Sequence, residues 1–289
     1  MLNMSKLSFS AYTKNELSKM SNLKNKQEVY FELIGYLSGA NATITEKYAK
    51  FSTENEYNIN RFAKLLNNVE INDYKIELQG KIYTIKFKKT EQLAKENLLT
   101  DLENVKEENL KKSYVRGTFL GSGYINNPER KYHLEVVFSK KIYAEKVSEI
   151  LQEYNIRSNT LKKNKNISLY IKDSEEISKF LALIGANSSV IKFEEVRVMR
   201  DMKNNINRLV NCETANLNKT INTAVEQISI IKKLRNTRKF ETLPDDLKEI
   251  AKLREENPNA TLEELGKMLK KPIGKSSVSN KFRRLKEYL

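Results

Sequence analysis

Leu33-Ile34-Gly35-Tyr36-Leu37-Ser38-Gly39-Ala40 and Val115-Arg116-Gly117-Thr118-Phe119-Leu120-Gly121-Ser122 are one short segment written twice. Each copy sets two glycines four residues apart, on one face of a helix. Glycine inside a helix costs about 1 kcal/mol relative to alanine, so propensity does not explain them. A seam between two closely approaching helix backbones does, because small residues at i and i+4 leave the room such contact needs. The order of elements after each copy agrees with a duplication. The first helix, around 29–39, leads to a strand region at 42–52, a helix near 59–66, and a hairpin whose arms, 74–78 and 82–87, turn at Gln79-Gly80. The second, around 114–122, leads to Tyr124-Ile125, a turn at Asn126-Asn127-Pro128 and a strand at 132–138. A helix near 142–154, strands at 157–161 and 167–171, and a helix at 174–184 complete that block. Short meanders of this kind predict an α+β fold with two pseudo-symmetric halves and antiparallel sheets, not a parallel βαβ sheet.

The doubled segment resembles the LAGLIDADG homing-endonuclease helix. The resemblance implies that the two helices pack along a pseudo-two-fold axis over a saddle of strands that sits on DNA. It also implies that active members carry a metal-binding acid at the penultimate motif position, where this chain has Ala40 and Ser122. Neither a methyl group nor a hydroxyl supplies the hard anionic oxygen that magnesium takes at a phosphodiester-cutting site. The expectation is therefore a retained architecture without nuclease chemistry: no catalytic residues, no metal, no cofactor. The alternative is a nuclease that recruits its metal through acids outside the motif, such as Glu46, Glu54 or Glu135.

Charge points to the class of partner. The chain has 289 residues, with 52 Lys plus Arg against 37 Asp plus Glu, a formal charge of +15. Such an excess favours polyanions. Nothing resembles a signal peptide or an apolar run of about 18 residues, which argues against a membrane partner. A single cysteine, Cys212, allows no intramolecular disulfide and fits a reducing, cytoplasmic location; a DNA partner puts the chain on the nucleoid. His133 and Glu135 would share a strand face, but one histidine without further nitrogen or sulfur ligands reads as a packed or surface residue. Tyr36, Tyr124, Tyr132 and Tyr143 could stack on unpaired bases. Packing against neighbouring side chains is the simpler expectation.

Residues 188–236 contain neither proline nor glycine, and Val196, Met199, Leu209, Leu217, Ile221, Val225, Ile228 and Ile231 recur at mixed three- and four-residue spacing. One or two long helices are predicted. Asn211-Cys212-Glu213-Thr214-Ala215-Asn216-Leu217-Asn218-Lys219-Thr220 reads as an exposed polar face or a hinge. Beyond it, Pro244-Asp245-Asp246 starts a helix that stops before Asn257-Pro258. Thr261-Leu262-Glu263-Glu264 has capping-box spacing and opens a second helix, buried through Leu262, Leu265 and Met268 or Leu269. Lys271-Pro272-Ile273-Gly274 breaks that helix. A third begins at Lys275 or Ser276, with Val278, Phe282, Leu285 and Leu289 at helical intervals. Three short helices with a tight turn before the last make a helix-turn-helix. The predicted organisation is a LAGLIDADG-like domain at 1–187, with halves of about 1–100 and 101–187, linker helices at 188–240, and an all-α DNA-binding domain at 241–289.

Lys270, Lys271, Lys275, Lys281, Arg283, Arg284 and Lys286 fall in an interval without an acid, whereas Glu249, Glu255, Glu256, Glu263 and Glu264 lie on the supporting helices. That polarity suits a recognition helix whose cations hold phosphates. Ser276, Ser277, Ser279 and Asn280 are the expected base readers, asparagine being able to pair bidentately with adenine. The runs Val115 to Gly123, Tyr132 to Glu135 and Arg208 to Thr220, together with the terminal helix-turn-helix, resemble the bacterial WhiA family. The resemblance implies a sequence-specific transcription regulator linked to cell division, chromosome segregation and, in spore-formers, sporulation. Double-stranded DNA and a protein co-regulator are the expected partners, and the chain is expected to be a monomer. One departure is Gly274, where the family usually has a second serine before the recognition helix. The change removes a helix cap or phosphate contact that Ser276 and Ser277 would have to replace.

Overall fold

The computed structural model describes residues 7–21, 23–90, 93 and 107–289. In the first half α1 (Phe9–Ser18) and α2 (Lys26–Ser38) precede β1 (Ala42–Ile44), β2 (Tyr48–Thr53), α3 (Glu56–Asn68), β3 (Tyr74–Gln79) and β4 (Ile82–Lys88). In the second, α4 (Glu108–Ser122) leads to β5 (Gly123–Ile125), β6 (Leu134–Phe138), α5 (Lys141–Glu153), β7 (Asn159–Lys163), β8 (Asn166–Ile171) and α6 (Ser174–Leu183). Each half holds a four-stranded antiparallel sheet, ordered β1-β2-β4-β3 and β5-β6-β8-β7. The α+β architecture and its internal repeat are those predicted. The boundary between halves, expected near residue 100, lies outside the described residues.

The two motif helices meet backbone to backbone. A Cβ built on Gly35 would stand 2.3 Å from the Tyr114 carbonyl oxygen, and one on Gly117 would stand 2.0 Å from that of Glu32. Glycine is required there by proximity, since no side-chain movement makes room for a methyl against a carbonyl. Around the seam Tyr36, Phe51, Phe62 and Phe87 pack in one half and Phe119, Phe138 and Phe180 in the other, within one buried cluster. Inside it Glu32 of α2 accepts from Arg61 Nε at 2.8 Å and Nη2 at 2.9 Å, and from Arg116 Nε at 2.9 Å. Only 1 %, 1 % and 6 % of these side chains is exposed for Glu32, Arg61 and Arg116, so the triad ties α2, α3 and α4 together out of reach of water.

Some expectations change in detail. The strand expected from Tyr132 begins at Leu134, and the 42–52 region is a hairpin closed where Thr45 donates through its hydroxyl to the Tyr48 carbonyl at 2.8 Å. Tyr36 and Tyr143 lie on helices and pack in the buried core, the simpler of the two expectations for them. The Tyr36 hydroxyl donates to Asn58 Oδ1 at 2.6 Å.

The predicted run of helix after α6 is one continuous α7 (Asn187–Asn236). The chain divides into compact units at Asp201/Met202, within this helix. Near its start Ser189 donates to Glu16 Oε2 through N–H (2.9 Å) and hydroxyl (2.6 Å), and Phe193 is buried in the first unit's core. Residues 201–219 are exposed. At its end Ile230, Ile231 and Leu234 join the second unit's core. That core is completed by a 3₁₀ turn (Lys239–Thr242), α8 (Asp245–Glu256), α9 (Leu262–Met268) and α10 (Lys275–Glu287). The domain limit expected at 241 therefore falls inside a packed core, because periodicity marks a buried helix face without saying what covers it. The capping box is present, with the Thr261 hydroxyl accepting from Glu264 N–H at 3.2 Å. Of the alternatives for α9, Leu269 is buried and Met268 is exposed; Leu289, expected on the apolar face of α10, is exposed too.

Candidate nucleic-acid interface

Val278, Phe282 and Leu285 bury one face of α10 against α8 and α9, at intervals of four and three, which turns the intervening residues outward. Ser276, Ser277, Ser279, Asn280 and Arg283 are exposed along that outer face, and Lys275 is exposed at its first residue. Lys270 and Lys271, also exposed, lie in the preceding turn, which is fixed where Lys270 N–H donates to Glu249 Oε1 at 2.8 Å. The helix starts at Gly274 without a side-chain cap. Its first N–H groups are left for solvent or an anion.

The cations of α10 are not equivalent. Lys281 donates to Asp246 of α8, and Arg284 Nη1 lies 3.6 Å from the same carboxylate. Chiefly through the hydrogen bond from Lys281, that carboxyl is held below its ordinary range. Lys286 Nζ pairs with Glu226 of α7 at 3.1 Å. Eight of the expected DNA-contacting residues, Lys270, Lys271, Lys275, Ser276, Ser277, Ser279, Asn280 and Arg283, thus form no ion pair among the described residues, whereas Lys281, Arg284 and Lys286 each meet an internal carboxylate. The acids expected to repel phosphate are largely engaged: Glu255 with Arg235 at 2.7 Å, Glu263 with Lys267 at 2.8 Å, and Glu264 in the cap.

Sequence reasoning missed a second basic surface. The register of the first sheet places Lys50 opposite Lys86 and Lys86 opposite Lys75, three lysines in one row across the strands. Lys86 Nζ lies 4.1 Å from the Tyr48 ring centroid. Like charges directly opposite one another destabilise a sheet, and a polyanion relieves them. Alternation within each strand was readable; register between strands was not.

The ends of the motif helices show no donor set for a metal. The Ala40 N–H donates to the Val137 carbonyl at 2.9 Å, and the buried Ser122 hydroxyl donates to the Thr118 carbonyl at 3.5 Å. Glu46 and Glu54 are exposed beside β2, whereas Glu135 lies in the other sheet. There it accepts from the Ser168 hydroxyl, which chiefly holds its carboxyl below the ordinary range, and meets His133 at 3.5 Å. Among the described residues no three of His, Cys, Asp and Glu cluster to hold a metal ion. A divalent ion does not fit these side chains. Among the described residues, no helix is long and apolar enough to cross a membrane.

Comparison with known proteins agrees with this arrangement. A family model described as "WhiA LAGLIDADG-like domain" matches residues 111–203, and one described as "WhiA C-terminal HTH domain" matches residues 206–289. The chain is 36 % identical over 314 residues to a Clostridium tetani protein named "Probable cell division protein WhiA", covering 97 % of this chain and 96 % of that one. A Clostridium novyi protein of the same name is 35 % identical, with 97 % of each chain covered. The crystal structure of full-length DUF199/WhiA from Thermatoga maritima superposes with a TM-score of 0.63 at 25 % identity, over 97 % of both chains. That of the N-terminal LAGLIDADG domain of DUF199/WhiA gives 0.53 at 22 % identity, over 64 % of this chain and 94 % of that one, a likeness of fold.

Proposed function

This chain belongs to the WhiA family, and from that membership we propose that it is a sequence-specific DNA-binding regulator of transcription that governs cell-division genes and cuts no DNA. The observation that carries the reading is α10. Its exposed serines and Asn280 stand between Lys275 and Arg283, cations that form no ion pair among the described residues. Small polar side chains reach base edges while such cations take phosphates, the division of labour a recognition helix in the major groove needs. The name of the relatives supports cell division as the process served, and the family resemblance extends it to chromosome segregation and sporulation. The place of action is the nucleoid. Nuclease chemistry finds no support at the motif ends, where Ala40 and Ser122 offer no carboxylate.

Genome-wide mapping of bound sites, followed by binding titrations on the recovered sequence and on scrambled duplexes, tests this reading. Asn280→Ala should lose about 1–3 kcal/mol on the recovered site and little on the scrambled one. An equal loss on both would remove Asn280 from base reading. Cleavage of bound DNA by the purified protein in magnesium would overturn the non-enzymatic assignment.

A further inference from the structure

Glu226 fixes one side of α7 relative to the recognition helix. Its carboxylate takes Lys286, near the end of α10, at 3.1 Å. Counting back from Glu226 in steps of four, three, four, four, three and four reaches Asn222, Lys219, Ala215, Asn211, Arg208 and Asn204, all exposed. Those steps keep to the 3.6-residue period of an α-helix, so the seven residues share one face. It is the face turned toward the end of α10. Its chemistry is amide and cation: three asparagines, Arg208 and Lys219, with Glu226 already paired. Between Met202 and Val225 the one acid is Glu213, which the same period places on the opposite side among Met202, Ile206 and Leu209. Of the three cations in that span, Arg208 and Lys219 lie on this face and Lys203 lies off it; the next step back along the face is Asp201, the last residue of the first unit. Neither Arg208 nor Lys219 forms an ion pair among the described residues, so both cations are available to a polyanion.

We propose that this face of α7 is a second DNA-binding surface, continuous with α10, that holds phosphates alongside the sequence α10 reads. The proposal rests on the reading of α10 given above. Asparagine and arginine side chains both donate to phosphate oxygens, and the amides add contacts without raising charge. From Asn204 to Glu226 the face extends about 33 Å at 1.5 Å per residue, close to one turn of B-form DNA. It lengthens the footprint beyond what a short terminal helix covers alone.

The test uses the full chain on a mixed-sequence duplex several turns long, with affinity measured against salt. Arg208→Gln with Lys219→Gln should make the log–log salt slope shallower by about 2, since each phosphate contact contributes about 0.9. On the site recovered by mapping, hydroxyl-radical protection should shorten on one side. Lys275→Gln with Arg283→Gln, run in parallel, probes α10. If the α10 pair flattens the slope while the α7 pair leaves slope and footprint unchanged, the second surface is refuted and the recognition helix stands. A flattened slope from the α7 pair alone would refute the reading of α10 and, with it, the proposal of a surface continuous with a recognition helix. Two unchanged slopes refute both. The four substituted residues are exposed, so circular dichroism should show unaltered helix content.

Discussion

Lys14 shows how one side chain sets a pH dependence. It is half-buried, its ammonium lies 6.0 Å from the centroid of the Phe119 ring, and no carboxylate among the described residues pairs with it. Burial lowers its pKa to about 8. An unfolded lysine titrates near 10.4, so between pH of about 8 and 10 the unfolded chain holds a proton that the folded chain has released, and stability rises with pH across that window. Below it the charged amine destabilises the fold by a constant amount. Lys14→Met should raise stability at pH 7 by about 1 kcal/mol and flatten the rise toward pH 9, read from urea midpoints at the two values. An unchanged midpoint at pH 7 would show the ammonium to be well solvated. The measurement stops below pH 10, where Tyr36 and Tyr114, both pushed up by burial, begin to act in the opposite sense. None of this was legible in the sequence, nor was the pairing of Glu32 with Arg61 and Arg116. These contacts join elements distant along the chain, and each residue taken alone resembles any surface charge.

Elements were the most legible scale, because a helix announces itself locally. Capping-box spacing, Pro244 with its acids and the glycine-spaced repeat each depend on neighbours within a few positions, and the structure has them where the spacing put them. What escaped was the contact between elements. The cations of α10 looked uniform, yet α8 takes up Lys281 and Arg284 through Asp246. That carboxylate competes with phosphate for the two cations. Asp246→Asn should free them, steepening the salt slope of duplex binding by about 1 to 2 and tightening binding to every sequence alike. A slope that stays put would mean the two side chains face away from DNA in the complex. By the same argument Arg283→Ala should weaken binding more than Arg284→Ala, although the two are adjacent and identical in the sequence.

At the largest scale the described residues form two cores, one built through residue 193 and one from residue 230 onward. Between them residues 201–219 are exposed and belong to neither. Each core should therefore unfold in its own transition. Glu32→Gln leaves two buried guanidinium groups without their counter-charge and should destabilise the first unit by about 3–5 kcal/mol, shifting one calorimetric transition and leaving the other in place. A shift of both together would reveal one cooperative unit. The glycine seam carries a consequence for descent. Its tightest contacts, at Gly35 and Gly117, press on carbonyl oxygens and admit no larger side chain, whereas Ala40 and Ser122 stand at the far ends of the same two segments. Shape is held at the middle of the repeat, so its tip can change one side chain at a time while the scaffold is inherited intact.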